Sequence, residues 1–260
     1  MRNAALYFDQ LRLQLVALSY FRLDFWVGIC ASMLQHGAAL AVLWLVYGQV
    51  SSLGGWGPYP ATLLYAFFSL TWGLATFLGS GLRELPALVM QGELDSVLIL
   101  PMSPYVRLLP RLNLSALGDV AVAVVILLAV AGPAGVQWTP VTALYALVAV
   151  VCGTGLLLGF LTVLYALSFW VPYNGLMRGA EGVAGLARYP ATIYPLWLRA
   201  AITWVLPVTF ASHYPAAELA FGGGGFLGSA MGAAVAAACL LGAGALAWRS
   251  GLRKYEGAGS

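Results

Sequence analysis

Six long apolar runs constrain the fold of this 260-residue chain more than any other feature. They cover residues 25–47, 60–82, 112–132, 140–170, 192–211 and 224–248. A helix needs about 20 apolar residues to cross the ~30 Å hydrocarbon core of a bilayer, whereas a barrel strand needs about ten residues of alternating pattern. The runs therefore predict an all-α polytopic membrane protein with six transmembrane helices.

Composition agrees with this class and excludes a soluble globular domain. Hydrophobic residues make up 62% of the chain and charged residues 8%, whereas charged residues form about 25% of a typical soluble domain. The 31 glycines and 13 prolines are typical of membrane helices, where both are commoner than in soluble helices. The net charge of +3 indicates no nucleic-acid partner.

The basic residues predict the orientation. With six spans, all of them fall at or near one side: Arg2, Arg12, Arg22, Arg83, Arg107, Arg111, Arg178, Arg188, Arg199, Arg249, Arg253 and Lys254. The opposite loops, 48–59, 133–139 and 212–223, contain none. Because basic loops stay in the cytoplasm, both termini are predicted to be cytoplasmic.

The prediction is one transmembrane domain over residues 1–260. Its parts are a cytoplasmic or interfacial helix (1–24), spans one and two (25–82), a cytoplasmic loop (83–111), spans three and four (112–170), a cytoplasmic segment (171–191), spans five and six (192–248) and a cytoplasmic tail (249–260). Residues 212–223 are predicted to form a short external or re-entrant segment between the last two spans. Residues 1–24 could instead be a partly ordered leader.

The 83–111 loop contains a proline-bounded charged island, Gly92–Pro104. Glu93 and Asp95 lie in it, although the whole chain has only nine acidic residues. Such a loop cannot lie in lipid, so it is predicted to face a partner at the membrane surface.

Chemistry-bearing motifs are few. A P-loop requires a Gly-Lys-Ser/Thr sequence so that the ammonium reaches the phosphates, but the only lysine is Lys254, followed by Tyr255. His36 and His213 have no Cys or His at ligand spacing. His36 is interpreted as a hydrogen-bonded helix-packing residue. The chain is therefore predicted not to be an enzyme and to hold no metal or cofactor of its own.

Asp119 is the one acid predicted inside a span. An intramembrane carboxylate is costly and indicates a proton relay, a substrate contact or a partner for an arginine. The competing interpretation is a pair with Arg111 or Arg107 near the cytoplasmic end of the same span.

Small residues recur at four-residue spacing in two spans, at Gly155 and Gly159 and along Gly224, Gly228, Gly232 and Ala236. This spacing favours close packing of helices within the chain over a subunit interface.

Three stretches together resemble one branch of the ABC-2 type exporter permeases, over essentially the full length. The first is Gly92-x-Leu94-Asp95-x2-Leu98-x2-Pro101. The second combines Tyr189-Pro190, Ile193-Tyr194-Pro195, Leu206-Pro207 and Tyr214-Pro215-Ala216. The third is the C-terminal Gly251-Leu252-Arg253-Lys254-Tyr255-Glu256-Gly257-Ala258-Gly259-Ser260. The chain departs from the pattern at Leu100, where such proteins often have a basic residue.

The resemblance implies a transmembrane subunit that binds a separate cytoplasmic ATP-hydrolysing subunit. ATP and magnesium would be bound by that partner, an ATPase dimer, and a second permease chain, identical or from a sister gene, would complete the transporter. The membrane would be the inner membrane of a prokaryote. The coupling residues would be Gly92, Glu93, Leu94, Asp95, Val97, Leu98 and Pro101. Leu94, Val97 and Leu98 would offer an apolar face to a groove of the ATPase.

The substrate class and two alternatives stay open at this point. Trp44, Trp72 and Trp204 could line a lateral opening, which favours an amphipathic, lipid-like or drug-like cargo. The alternatives are a proton-coupled secondary transporter using Asp119, with Glu218 as a second acid, and a membrane-embedded enzyme or assembly factor.

Overall fold

The computed structural model describes residues 22–98, 103–109, 113–171 and 174–255. The α-helices are α1 (Arg22–Tyr47), α2 (Pro58–Leu78), α3 (Leu85–Gln91), α4 (Leu94–Leu98), α5 (Pro104–Leu108), α6 (Leu114–Ala131), α7 (Pro140–Ala166), α8 (Asn174–Ala184), α9 (Leu196–Ala200), α10 (His213–Phe221) and α11 (Phe226–Lys254). Short 3-10 turns cover Ser80–Glu84, Leu167–Phe169, Gly185–Arg188, Ala191–Ile193 and Val208–Ala211, and a π turn covers Ala201–Val205.

Four helices are long and apolar enough to cross a membrane: Trp26–Tyr47, Pro58–Leu78, Pro140–Phe169 and Phe226–Lys254. They coincide with four of the predicted spans, and the all-α polytopic class is confirmed. The third predicted span corresponds to a shorter apolar helix, Ser115–Ala131. The predicted N-terminal helix, except its last residues, and Pro101 lie outside the described residues.

The helix α2 is the centre of the molecule. In its most apolar stretch 72% of the residues are buried, compared with 17% in α1 and 22% in α11. Phe67 and Phe68 are buried together with Leu63 and Leu64. α1, α6 and α7 pack around α2, and α11 packs along α7. Since lipid tails are as apolar as these side chains, close van der Waals packing stabilises this core more than the hydrophobic effect does.

The 174–193 segment runs along α2. Near its start, Glu181 pairs with Arg83, which lies just beyond the C-terminal end of α2. Farther on, the guanidinium of Arg188 lies over the ring of Phe68 in the middle of α2, 5.3 Å from its centroid.

The same segment ends beside the beginning of α2. Gly54, in the loop before α2, has a φ of +57°, and a Cβ there would lie 2.5 Å from Thr192 Oγ1. Only glycine satisfies both the left-handed backbone and this close approach. Residues 181–192 therefore run antiparallel to α2. The sequence-based expectation treated residues 171–191 as a cytoplasmic segment instead.

The fifth predicted span is not one helix. It breaks at Pro207, which has no N–H to donate to a helix, so that α9 and the π turn are followed by the 3-10 turn Val208–Ala211. At Ala211 the chain has reached the middle of α7, because a Cβ on Gly153 would lie 3.1 Å from Ala211 Cα. α10 then returns to the beginning of α2, where Phe221 contacts Trp56 at 5.1 Å between ring centroids. Residues 196–221 thus form a hairpin that enters the helix bundle and leaves on the side it entered.

Candidate functional site

Within the charged island, Leu94–Leu98 form the short helix α4. α3 ends at Gly92, which adopts a left-handed φ of 70°. The N–H groups of Gly92 and Glu93 donate to the last carbonyls of α3, at Val89 (3.4 Å) and Leu88 (3.0 Å). Glycine is the residue that ends a helix in this way without steric cost. α4 starts two residues later, so Gly92 sets the angle between α3 and α4.

The side chains of α4 divide between the protein interior and the surface. Glu93 and Leu98 are exposed, and Asp95 is half-buried. Leu94 is fully buried and Val97 nearly so, both within the main core of the chain. The expectation that Leu94, Val97 and Leu98 all face a partner is therefore wrong for Leu94 and Val97. Leu94 and Val97 instead anchor α4 on the bundle, while Leu98 and the two acids remain accessible to a partner.

The C-terminal end of α11 reaches the same place. Tyr255 packs against the core beside Phe169, with 6.4 Å between ring centroids. Burial and the nearby carboxylate of Asp95 raise the pKa of the Tyr255 phenol. The last helix and α4 are therefore in electrostatic contact.

A charged cluster joins the 83–111 loop to α7 and α8. Glu181 accepts hydrogen bonds from Arg83 Nε (3.2 Å) and Nη2 (3.3 Å) and from the Tyr165 hydroxyl (2.6 Å). Burial alone would lower the pKa of Arg83, but the charges of Glu181 and Tyr165 and the hydrogen bonds to both together outweigh burial, and the pKa is raised. The sequence gives no signal for this cluster because Arg83 and Glu181 are 98 residues apart. Bidentate arginine–carboxylate pairs fix geometry as well as charge, so the cluster holds the loop on the bundle.

Asp119 lies in a polar cluster between three helices. Its Oδ1 is 3.3 Å from His36 Nε2, and the other ring nitrogen of His36 is 2.7 Å from the Tyr65 hydroxyl. Ser32, one turn before His36, donates to the carbonyl of Ser115 at 3.1 Å. The cluster connects α1, α2 and α6, and the interpretation of His36 as a hydrogen-bonded packing residue is confirmed. Among the described residues, the ion pair of Asp119 is with His36 and not with Arg107. Arg111, the other expected partner, lies outside the described residues.

His213 begins the returning helix of the 196–221 hairpin. It accepts a hydrogen bond from the Ala191 N–H at 3.3 Å and contacts Trp56 at 5.0 Å between ring centroids. Burial, and secondarily the charge of Arg199, lowers the pKa of His213 to about 4. A neutral His213 is therefore part of the contact between the hairpin and the 174–193 segment.

Within the described ranges no three His, Cys, Asp or Glu side chains are grouped as metal ligands would be. The cysteines Cys30, Cys152 and Cys239 are free thiols.

The fold and the loop describe a multi-pass helical membrane protein with a short surface helix anchored on its bundle. A family model described as ABC-2 family transporter protein matches residues 33–259. The chain belongs to this family and is the permease type of subunit in an ABC transporter. No curated protein and no solved structure matches it.

Proposed function

We propose that this chain is the permease of an ABC exporter, driven by ATP hydrolysis on a separate cytoplasmic ATPase dimer and paired with a second permease chain in the inner membrane of a prokaryote. The observation that carries the proposal is α4, a short helix with the exposed Glu93 just before it, the half-buried Asp95 in its first turn and a buried apolar anchor. In this position, movement of a bound ATPase would pass directly to the bundle through Leu94 and Val97.

We infer six crossings, with one reassignment relative to the sequence-based prediction. We take the fifth crossing to be the 174–193 segment instead of residues 192–211, with α1, α2, α6, α7 and α11 as the other five. Glu181 and Arg188 in this segment contact side chains elsewhere in the chain, Arg83 and Phe68. Ten of the twelve basic residues still fall on the side of the termini, the two exceptions being Arg188 and Arg199. The cytoplasmic placement of both termini therefore keeps its support.

An amphipathic, lipid-like or drug-like molecule suits this arrangement best as the cargo. The 196–221 hairpin presents Trp197 and Trp204 at the protein surface, 71% and 78% exposed. Tryptophan places an apolar ring and one N–H donor at a membrane interface. An amphipathic molecule leaving the bilayer would find both kinds of contact there.

The test is co-purification of this chain with a candidate ATPase subunit, followed by ATP hydrolysis that vanadate inhibits. Glu93→Ala combined with Asp95→Ala is expected to lower the hydrolysis or the yield of the complex. Glu84→Ala, another acid of the same loop, is the control. A complex that is unaffected by the double substitution would exclude α4 as the coupling element. The absence of any complex would refute the exporter itself.

The proton-coupled alternative requires Asp119 to exchange protons with water. Its pairing with His36 in a three-helix contact supports a packing role instead. Asp119→Asn is therefore expected to leave the pH dependence of transport into vesicles unchanged. A transport rate that loses its pH dependence in this variant would favour the secondary transporter.

A further inference from the structure

A groove of about 380 Å³ lies between α5 and the C-terminal half of α11. Its walls include Tyr105 on one side and Leu241, Ala245, Trp248, Arg249 and Leu252 on the other. The groove is on the outer surface of the bundle, because most of α11 is not covered by the rest of the chain. Whatever occupies it reaches it from the bilayer or from the membrane surface.

The floor of the groove is fixed. Trp248 is 5% exposed and contacts Tyr105 and Phe169 at 5.1 and 5.6 Å between ring centroids. The Tyr105 hydroxyl is 2.8 Å from Thr162 Oγ1, inside the bundle. The polar end of Tyr105 is thus already satisfied, and its ring presents an apolar face to the groove.

The wall formed by α11 changes character along its length. Leu241, Ala245 and Arg249 follow at four-residue spacing, so they lie on one face over a distance of about 12 Å. Arg249 is the only charged side chain among the described residues that line the groove. It is near the C-terminal end of α11, where Arg253 and Lys254 form a basic last turn. Along the groove, apolar side chains are followed by a guanidinium at the membrane surface. An anionic lipid has the matching arrangement, an apolar tail followed by a negatively charged headgroup.

We propose that this groove binds one anionic phospholipid, with its phosphate on Arg249 and one acyl chain along Leu241 and Ala245. Basic pockets between membrane helices on the cytoplasmic side are suited to anionic headgroups. Arginine can hold a phosphate through two parallel hydrogen bonds, which a point charge cannot do. The site depends on membrane insertion only and does not require the proposed exporter function.

Binding is measured on the full-length permease alone, so that failure here leaves the ATPase experiment unaffected. The purified, delipidated chain is titrated in detergent with phosphatidylglycerol or phosphatidylcholine, and native mass spectrometry counts retained lipids. Wild type is expected to retain one phosphatidylglycerol at least tenfold more tightly than phosphatidylcholine. Arg249→Gln is expected to lose about tenfold in affinity, equivalent to about 1.4 kcal/mol. Arg253→Gln removes the same charge one turn away from the groove and is expected to change affinity less than threefold.

A second variant tests the apolar part and also covers the case in which Arg249→Gln folds poorly. Ala245→Phe fills the trough and is expected to abolish retention of the lipid while Arg249 is still present. Equal losses in Arg249→Gln and Arg253→Gln would overturn the site in favour of diffuse surface charge. Equal retention of phosphatidylglycerol and phosphatidylcholine would also overturn the proposal, because it would indicate an apolar groove that does not recognise the headgroup. Displacement of the lipid by millimolar inorganic phosphate would show that the ligand is a soluble phosphate, and would also overturn the proposal.

Discussion

Two glycines on α7 test how closely the two longest helices pack. A methyl group added at Gly159 would lie 2.6 Å from the backbone C of Leu240 and the backbone N of Leu241 on α11. A methyl group added at Gly155, one turn earlier, would lie 3.6 Å from Leu241 Cδ1 and 3.8 Å from Ala237 Cβ, which is ordinary contact. The sequence spacing treats the two positions as equivalent, but the structure does not.

The expected difference follows from what each methyl group meets. Replacing glycine by alanine inside a helix contributes up to about 1 kcal/mol of stability through the backbone alone. This contribution is the same at both positions and cancels in their comparison. At Gly159 the backbone of α11 would have to withdraw by several tenths of an ångström, and inserting atoms into a packed interior costs about 1–3 kcal/mol. Gly159→Ala is therefore expected to be less stable than Gly155→Ala by about 1–3 kcal/mol.

The measurement is thermal unfolding of both variants in the same detergent, followed by tryptophan fluorescence. A difference of 1 kcal/mol shifts the midpoint by about 2–4 °C in a chain of this size. Gly155→Ala should unfold at or above the wild-type temperature, and Gly159→Ala several degrees below it. Equal midpoints, or the reverse order, would refute the close approach of α7 and α11 at Leu240.

Two further predictions concern charge. Folding lowers the pKa of His213 from 6.5 to about 4, so the unfolded chain binds more protons than the folded chain between these pH values. The stability that is present above pH 6.5 is therefore lost as the pH falls toward 4, by up to about 3 kcal/mol. The unfolding of His213→Gln should depend correspondingly less on pH than that of wild type. Glu181→Gln removes the charge opposite Arg83 and is expected to lower the free energy of unfolding by about 1–2 kcal/mol. In a double-mutant cycle, Arg83→Gln should lower it less in the Glu181→Gln background than in wild type. Additive losses would exclude an interaction between the two side chains.

Hydropathy predicted the four long apolar helices, and it did not identify the crossing that we propose for the 174–193 segment. The 174–193 segment contains Arg178, Glu181 and Arg188, so its sequence resembles a cytoplasmic loop. Glu181 is paired with Arg83, 98 residues away in the chain, and no local pattern reports such a partner. Residues 192–211 have the opposite property, because they are apolar enough for a span but contain a proline that interrupts the helix.

The candidate site shows a similar division. Gly92 and the acids of α4 were predictable because a helix-ending glycine and acids in a first turn act locally. The inward direction of Leu94 and Val97 was not, since a five-residue helix shows no reliable apolar face. His36 and Asp119 were each noticed as unusual in a span, but the sequence offered several partners for Asp119. Only the packing of α1 on α6 selects His36 among them.

The path of the 174–193 segment predicts that its two ends lie on opposite sides of the membrane. In a chain whose three cysteines have been replaced by serine, single cysteines are placed at Gly179, which is exposed with open space around it, and at Ile193, which is 40% exposed. If the segment crosses the membrane, an impermeant maleimide should label Ile193→Cys in intact cells and Gly179→Cys only after the cells are opened. Gln49→Cys and Lys254→Cys are the controls for the outer and inner sides. Labelling of both test positions from the inside would return the segment to the cytoplasm, and the contacts of Arg188 with Phe68 and of Thr192 with Gly54 could not then both exist in the membrane-inserted protein.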